Sequence, residues 1–156
     1  VDFVLTFEEM QGIFDAKGIV PAEMPVDPEE EFGTGTALGR GFAVTGGVAN
    51  AVKEAIAELD PDREVKVEHA DGLRECRKML RIARTGKYDG YLLEGMACPG
   101  GCIAGAGTIQ PPEKSRRVLE QYKASAPKDN PLDSDYKDDL YLLHDGEDDW
   151  SFVGRH

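Results

Sequence analysis

Tyr88-Asp-Gly-Tyr-Leu-Leu-Glu94 runs without a break into Gly95-Met-Ala-Cys98-Pro-Gly-Gly-Cys102-Ile-Ala-Gly-Ala-Gly107, a strand candidate followed by a glycine-rich loop. Immediately upstream, Asp71 is placed to cap a helix that runs to about Thr85. Leu73, Cys76, Met79, Leu80 and Ile82 to Ala83 form its apolar face, and Gly86 stops it. Further back, Glu64-Val-Lys-Val-Glu-His69 alternates with period two, as a half-buried or edge strand does. Val48 to Leu59 repeats apolar residues at helical spacing until Asp60-Pro61 ends it. At the start, Val1 to Leu5 reads as a buried strand leading into a helix capped reciprocally by Thr6 and Glu9 and stopped by Gly18. Downstream, Pro111 opens a last helix through about Ala124. This alternation predicts an α/β fold, a mostly parallel β-sheet flanked by helices, with the chemistry on loops leaving the carboxyl ends of the strands. Pro21 to Gly41, with three prolines and four glycines, reads as a long surface loop. Residues 1–126 are the expected domain. Residues 127–156 are the expected acidic, partly disordered tail, with a short helix near Tyr136 to Leu143.

The chain has 156 residues, 40% of them hydrophobic, with 30 acidic against 18 basic side chains and a net charge of −12. That composition predicts one globular domain with a core of its own. The acidic balance argues against nucleic acid and against an anionic membrane surface as partners. No apolar run approaches the roughly 20 residues of a membrane span, and the first residues lack the features of a signal peptide, so the expected location is cytoplasmic. The chain opens without Met on an apparent strand, which leads us to expect that it belongs to something longer. Three cysteines are too few for a disulfide scaffold.

Chemistry concentrates at Cys98 and Cys102. Thiolates four residues apart, among glycines whose amides can face a ligand closely, suit a soft metal centre. A glycine-rich turn with two incidental thiols, or a redox pair, fits the same spacing, and two ligands fall short of a four-thiolate site. Cys76 lies on the inward stripe of its helix, where a free cysteine acts as a small hydrophobe. A lone His69 at a strand end reads as a hydrogen-bonded structural residue. Gly33-Thr-Gly35-Thr-Ala-Leu38 lacks the last glycine of a dinucleotide fingerprint, and Gly41-Phe-Ala-Val-Thr-Gly46-Gly47-Val48 lacks the Lys and Ser/Thr of a phosphate loop. Asp133-Ser-Asp135 does not continue as a calcium loop, and Arg116-Arg117 reads as the polar face of the last helix.

Met96-Ala-Cys98-Pro-Gly-Gly-Cys102 resembles the last of three signature motifs of the iron-only (FeFe) hydrogenases, M-A-C-x-x-G-C followed by glycines. In the same order, Val1-Asp-Phe-Val-Leu-Thr resembles the strand opening that family's C-terminal lobe. Gly41 to Val48 resembles its F-G-x-T-G-G-V segment, and His69-Ala-Asp-Gly-Leu its A-H-G-L turn. The resemblance implies one lobe of a two-lobed catalytic domain. Cys98 would be a terminal thiolate on a 4Fe-4S cubane, and Cys102 would bridge that cubane to a di-iron unit bearing carbonyl and cyanide ligands. Met96 would pack against the di-iron unit and Phe42 would wall the cavity, with Gly100, Gly101 and Gly105 against the cofactor. The implied partners are an N-terminal lobe of the same protein, a ferredoxin-like electron carrier, dihydrogen and protons.

Two departures matter. No cysteine precedes Cys76, so the T-S-C-C-P-x-W and P-C-x-x-K-x-E motifs that complete the site and pass protons are missing. In addition, Gly105-Ala-Gly-Thr-Ile109 stands where the family reads G-G-G-Q-P. The leading expectation is therefore the C-terminal part of an enzyme that reversibly oxidises dihydrogen, inactive by itself and without its cofactor. The alternative is a hydrogenase-like iron-sulfur protein in cluster assembly or sensing, and a metal-free thiol-redox or scaffold domain is a third reading. A detached lobe should expose apolar residues and be mobile at 95–107 and 21–41, and Cys98 could pair with Cys102 in air.

Overall fold

The computed structural model describes residues 1–25 and 35–137. The helix α1 (Phe7–Lys17) begins as its sequence dictates. The Thr6 hydroxyl accepts from the Glu9 N–H at 3.2 Å, and the Glu9 carboxylate accepts from the Thr6 N–H at 2.8 Å. Gly18 ends the helix with φ 64°. Within the expected loop, the described residues form a single turn at Pro21–Glu23 and a short helix α2 (Ala37–Arg40) capped by Thr36. Then follow α3 (Gly47–Leu59), β1 (Lys66–Asp71), α4 (Leu73–Ala83), β2 (Tyr91–Met96) and α5 (Pro112–Ala124).

The strands β1 and β2 pair in parallel, from Lys66 opposite Tyr91 to Asp71 opposite Met96, with α4 as the crossover. Successive strand residues point to opposite faces, so adjacent positions of β2 meet different helices. Glu94 reaches the start of α3, and Gly95 lies against Cys76 and Met79 of α4. The result is an α/β layer with a parallel sheet between two helices.

Several elements differ from the sequence reading. Val1–Leu5 forms no strand, and Val1, Phe3 and Val4 are more than 80% exposed. β-Branched apolar residues favour a strand only where they join a ladder, and this segment pairs with neither β1 nor β2. The second strand starts at Tyr91 rather than Tyr88, because a turn ending at Gly90 (φ 77°) precedes it. Asp71 does not cap α4. It closes β1, and Gly72 (φ 82°) stands at the head of the helix. Only Cys76, Met79, Ile82 and Ala83 of the expected α4 stripe turn inward, leaving Leu73 and Leu80 more than half exposed.

The core is thin. Among the described residues only Ala49, Ala51 and Met79 are buried apolar side chains, and no large side chain is fully enclosed. The self-sufficient core expected from chain length is therefore not built within these residues. Part of the expected tail returns to the body: the Ala37 and Leu38 N–H groups donate to the carbonyls of Lys128 and Asp129 at 2.8 and 3.2 Å, and Asn130 donates to the Glu54 carbonyl. Residues 138–156, which include most of the helix expected near Tyr136 to Leu143, lie outside the described residues. Among those described, no helix is long and apolar enough to cross a membrane.

Candidate functional site

The loop that leaves β2 carries both cysteines. A turn closes Cys98 to Gly101 (N–H to carbonyl, 3.0 Å), and Cys102–Ala104 forms a single helical turn. Both thiols are free, Cys98 half-buried and Cys102 exposed. Contact requires a glycine at 101 and leaves little room for a side chain at 105. Gly101 (φ 95°) packs on the 43–45 backbone so closely that a Cβ would lie 2.5 Å from the Ala43 carbonyl oxygen and 2.7 Å from the Thr45 nitrogen. Gly105 runs beside the Cys98 sulfur, where a Cβ would lie 3.3 Å from Sγ, and its N–H donates to the Cys102 carbonyl at 3.1 Å.

Two carboxylates hold the loop and the 41–48 segment on the sheet. Asp71 accepts from the Gly100 N–H at 2.9 Å and from the Thr45 hydroxyl at 3.1 Å. Those bonds, the Gly100 amide first and the Thr45 hydroxyl second, hold its carboxyl below the usual carboxylate range, and the nearby Arg116 guanidinium adds to this. Glu94, only 9% exposed, caps the start of α3 from the neighbouring strand, accepting from Gly46, from Val48 at 3.1 Å and from Ala49 at 3.4 Å. The helix has no side-chain cap of its own, since Gly46 precedes it with φ 87°. At its far end the cysteine loop is tied to α1 by the Glu8 N–H donating to the Gly107 carbonyl at 3.0 Å. The loop expected to be mobile makes main-chain contacts at Gly100, Gly101 and Gly107. The other expected mobile stretch falls partly on 26–34, outside the described residues.

Among the described residues, the sequence-predicted site is only partly assembled. Met96 ends β2 with its carbonyl accepting from Gly72 N–H at 2.9 Å and from the Cys76 thiol at 3.3 Å. Phe42 is nearly half exposed on the turn that Gly47 packs against. An open cavity of about 630 Å³ lies between Pro99, Gly100 and Ile103 of the loop and Glu113, Arg116 and Arg117 of α5, so the arginine pair borders the loop. Cys76 bonds the carbonyls of Ala70 and Met96 and joins the ends of both strands, in keeping with a structural role. The described residues contain no cluster of three or more His, Cys, Asp or Glu able to hold a metal. Two free thiols beside closely packed glycines fall short of a four-thiolate cluster site.

Sequence reasoning missed Asp71 and Glu94 as positioning residues. Glu94 had one legible signal, an acid at the end of an apolar strand; for Asp71 the local pattern pointed to a helix cap instead.

The family described as "Iron only hydrogenase large subunit, C-terminal domain" matches residues 1–106. A probable cytosolic Fe-S cluster assembly factor of Aedes aegypti is 30% identical over 53% of this chain and 18% of its own length. The periplasmic [Fe] hydrogenase large subunit of Nitratidesulfovibrio vulgaris is 28% identical over 69% of this chain and 32% of its own. An NADP-reducing hydrogenase subunit of Solidesulfovibrio fructosivorans is 27% identical over 90% of this chain and 30% of its own. The chain spans about a third or less of the length of these relatives.

Proposed function

The chain belongs to the family formed by the C-terminal domains of iron-only hydrogenase large subunits, and from that membership we propose that it supplies half of a cluster site in a hydrogenase-like iron-sulfur protein serving cluster assembly or sensing. The observation that carries this reading is the pair of free thiols, Cys98 and Cys102, on a glycine loop clamped to the sheet ends, with no third ligand beside them among the described residues. Cys98 and Cys102 are the ligands, and the loop glycines let main chain approach the cluster sulfurs. Asp71 and Glu94 keep the loop in place before any cluster binds, which lowers the ordering cost of binding. An N-terminal lobe of the same protein supplies the remaining thiolates and covers the exposed apolar residues of Val1–Leu5 and α1. A bound 4Fe-4S cluster supplies one-electron chemistry whose potential follows burial and hydrogen bonding.

The cytosolic assembly factor among the relatives favours assembly in the cytoplasm, and the divergent Gly105-Ala-Gly-Thr-Ile109 favours a role other than hydrogen turnover. A hydrogenase is the second reading, favoured by the greater share of this chain that the two hydrogenase relatives match. In that reading Met96 and Phe42 wall a di-iron unit and a ferredoxin-like carrier exchanges electrons. Infrared spectroscopy of the full-length protein, purified anaerobically from its host, separates the two. We expect iron and sulfide without carbonyl or cyanide bands; such bands accompanied by hydrogen turnover would overturn the assembly reading.

A further inference from the structure

The net charge of −12 conceals a basic face. Between Leu73 and Lys87 there are six basic side chains and one acid, so this stretch carries +5 and the rest of the chain −17. Arg74, Arg77, Lys78 and Arg81 lie on the solvent side of α4 at helical spacing, and Arg84 and Lys87 continue the exposed stretch past its end. The one acid, Glu75, lies 3.1 Å from Arg74 and 3.7 Å from Lys78. Arg77, Arg81, Arg84 and Lys87 have no ion-pair partner among the described residues. Leu73 and Leu80, 69% and 55% exposed, lie on the helical row of Arg77 and Arg84, so apolar and cationic groups share one surface about 16 Å long.

We propose that this face of α4 docks an acidic protein segment, one that presents carboxylates at helical spacing with apolar residues between them. Charge complementarity selects the partner. Guanidinium groups pair bidentately with carboxylates, and the exposed leucines reward a partner with apolar side chains of its own. Nucleic acid is a poorer fit. A polyanion gains nothing from Leu73 and Leu80, and the −17 on the rest of the chain repels a rod extending past the helix. The surface starts beside the cysteine loop, since a Cβ on Gly72, at the head of α4, would lie 3.6 Å from Pro99. A docked partner therefore sits next to the thiols, yet the docking stands whether or not a cluster binds there.

The test uses a fluorescein-labelled helical peptide with Glu and Leu alternating at i, i+3 and i+4 spacing, and a DNA duplex of about 20 base pairs, each titrated by anisotropy into the full-length protein. At low salt we expect the peptide to bind more tightly than the duplex. The R77E/R81E variant, whose changes lie on the surface and should leave the circular dichroism spectrum intact, should weaken peptide binding at least tenfold. K53E, on the exposed side of α3, should change it less than twofold. Raising the salt from about 20 to about 300 mM should weaken binding in the wild type far more than in R77E/R81E. Equal or tighter binding of the duplex, no peptide binding by the wild type, or equal losses in K53E and R77E/R81E would each overturn the proposal.

Discussion

Replacing Glu94 with Ala should loosen α3 and, with it, the seat of the cysteine loop. The carboxylate accepts three amides at the head of a helix that has no other cap, and it does so from a position only 9% exposed. A side-chain N-cap is worth about 0.5–2 kcal/mol, and a hydrogen bond to a charged group about 1.5–3 kcal/mol. These bonds share one acceptor, and water reaches part of the vacated site, so the full sum of three does not apply. A loss of roughly 3 kcal/mol follows, a large part of the about 5–15 kcal/mol that holds a domain together. For a chain of this size that lowers the melting temperature by roughly 6–12 °C. Glu94→Gln keeps one acceptor oxygen and should lose about half as much. Glu113→Ala, an exposed acid in the first turn of α5, should stay within about 0.5 kcal/mol of the parent. Thermal unfolding followed by far-ultraviolet circular dichroism reads all three, and a Glu94→Ala protein melting within about 2 °C of the parent would refute the clamp.

Gly101→Ala places a Cβ against the main chain of 43–45 in a backbone conformation that side chains rarely adopt, and strain alone costs about 1–3 kcal/mol. Amide-exchange protection at Gly100 and at the substituted position 101 should fall at least tenfold. Asp71 titrates below the usual carboxylate range because Gly100 and Thr45 bond its charged form. Its contribution is therefore complete above the ordinary carboxylate value and is lost as pH falls through the lowered folded value. Exchange at the Gly100 amide, corrected for its intrinsic rate, should rise over that acidic interval and lose this step in Asp71→Asn. Thr6→Ala removes the capping box of a helix with no buried residue, so it should fray α1 by about 1 kcal/mol in local exchange while leaving the melting temperature nearly unchanged.

Local signals are legible where both partners of an interaction are close in sequence. Thr6 and Glu9 lie three apart, and their reciprocal cap forms at the predicted residues. The parallel pairing of β1 with β2 follows from strand, helix and strand in succession. Asp71 shows the limit. An acid just before a helix is a cap by local pattern, but Gly100, 29 residues away, offers its amide and takes the carboxylate instead. Glu94 reads as a strand end because its partners, Gly46, Val48 and Ala49, lie more than forty residues away. Val1–Leu5 has a strand composition but pairs with neither strand of the sheet. On α4, period alone assigns Leu73 and Leu80 to the core, whereas a two-stranded sheet covers only the side of that helix that carries Cys76, Met79, Ile82 and Ala83.

The most direct test of a shared cluster site is the iron and acid-labile sulfide content of the full-length protein purified anaerobically with Cys98→Ser, Cys102→Ser or Cys76→Ser in place. We predict that the first two each lose most of the iron at this site and its low-temperature paramagnetic signal, whereas Cys76→Ser keeps both because its thiol only joins the strand ends. Wild-type iron and signal in Cys98→Ser and Cys102→Ser would contradict the account.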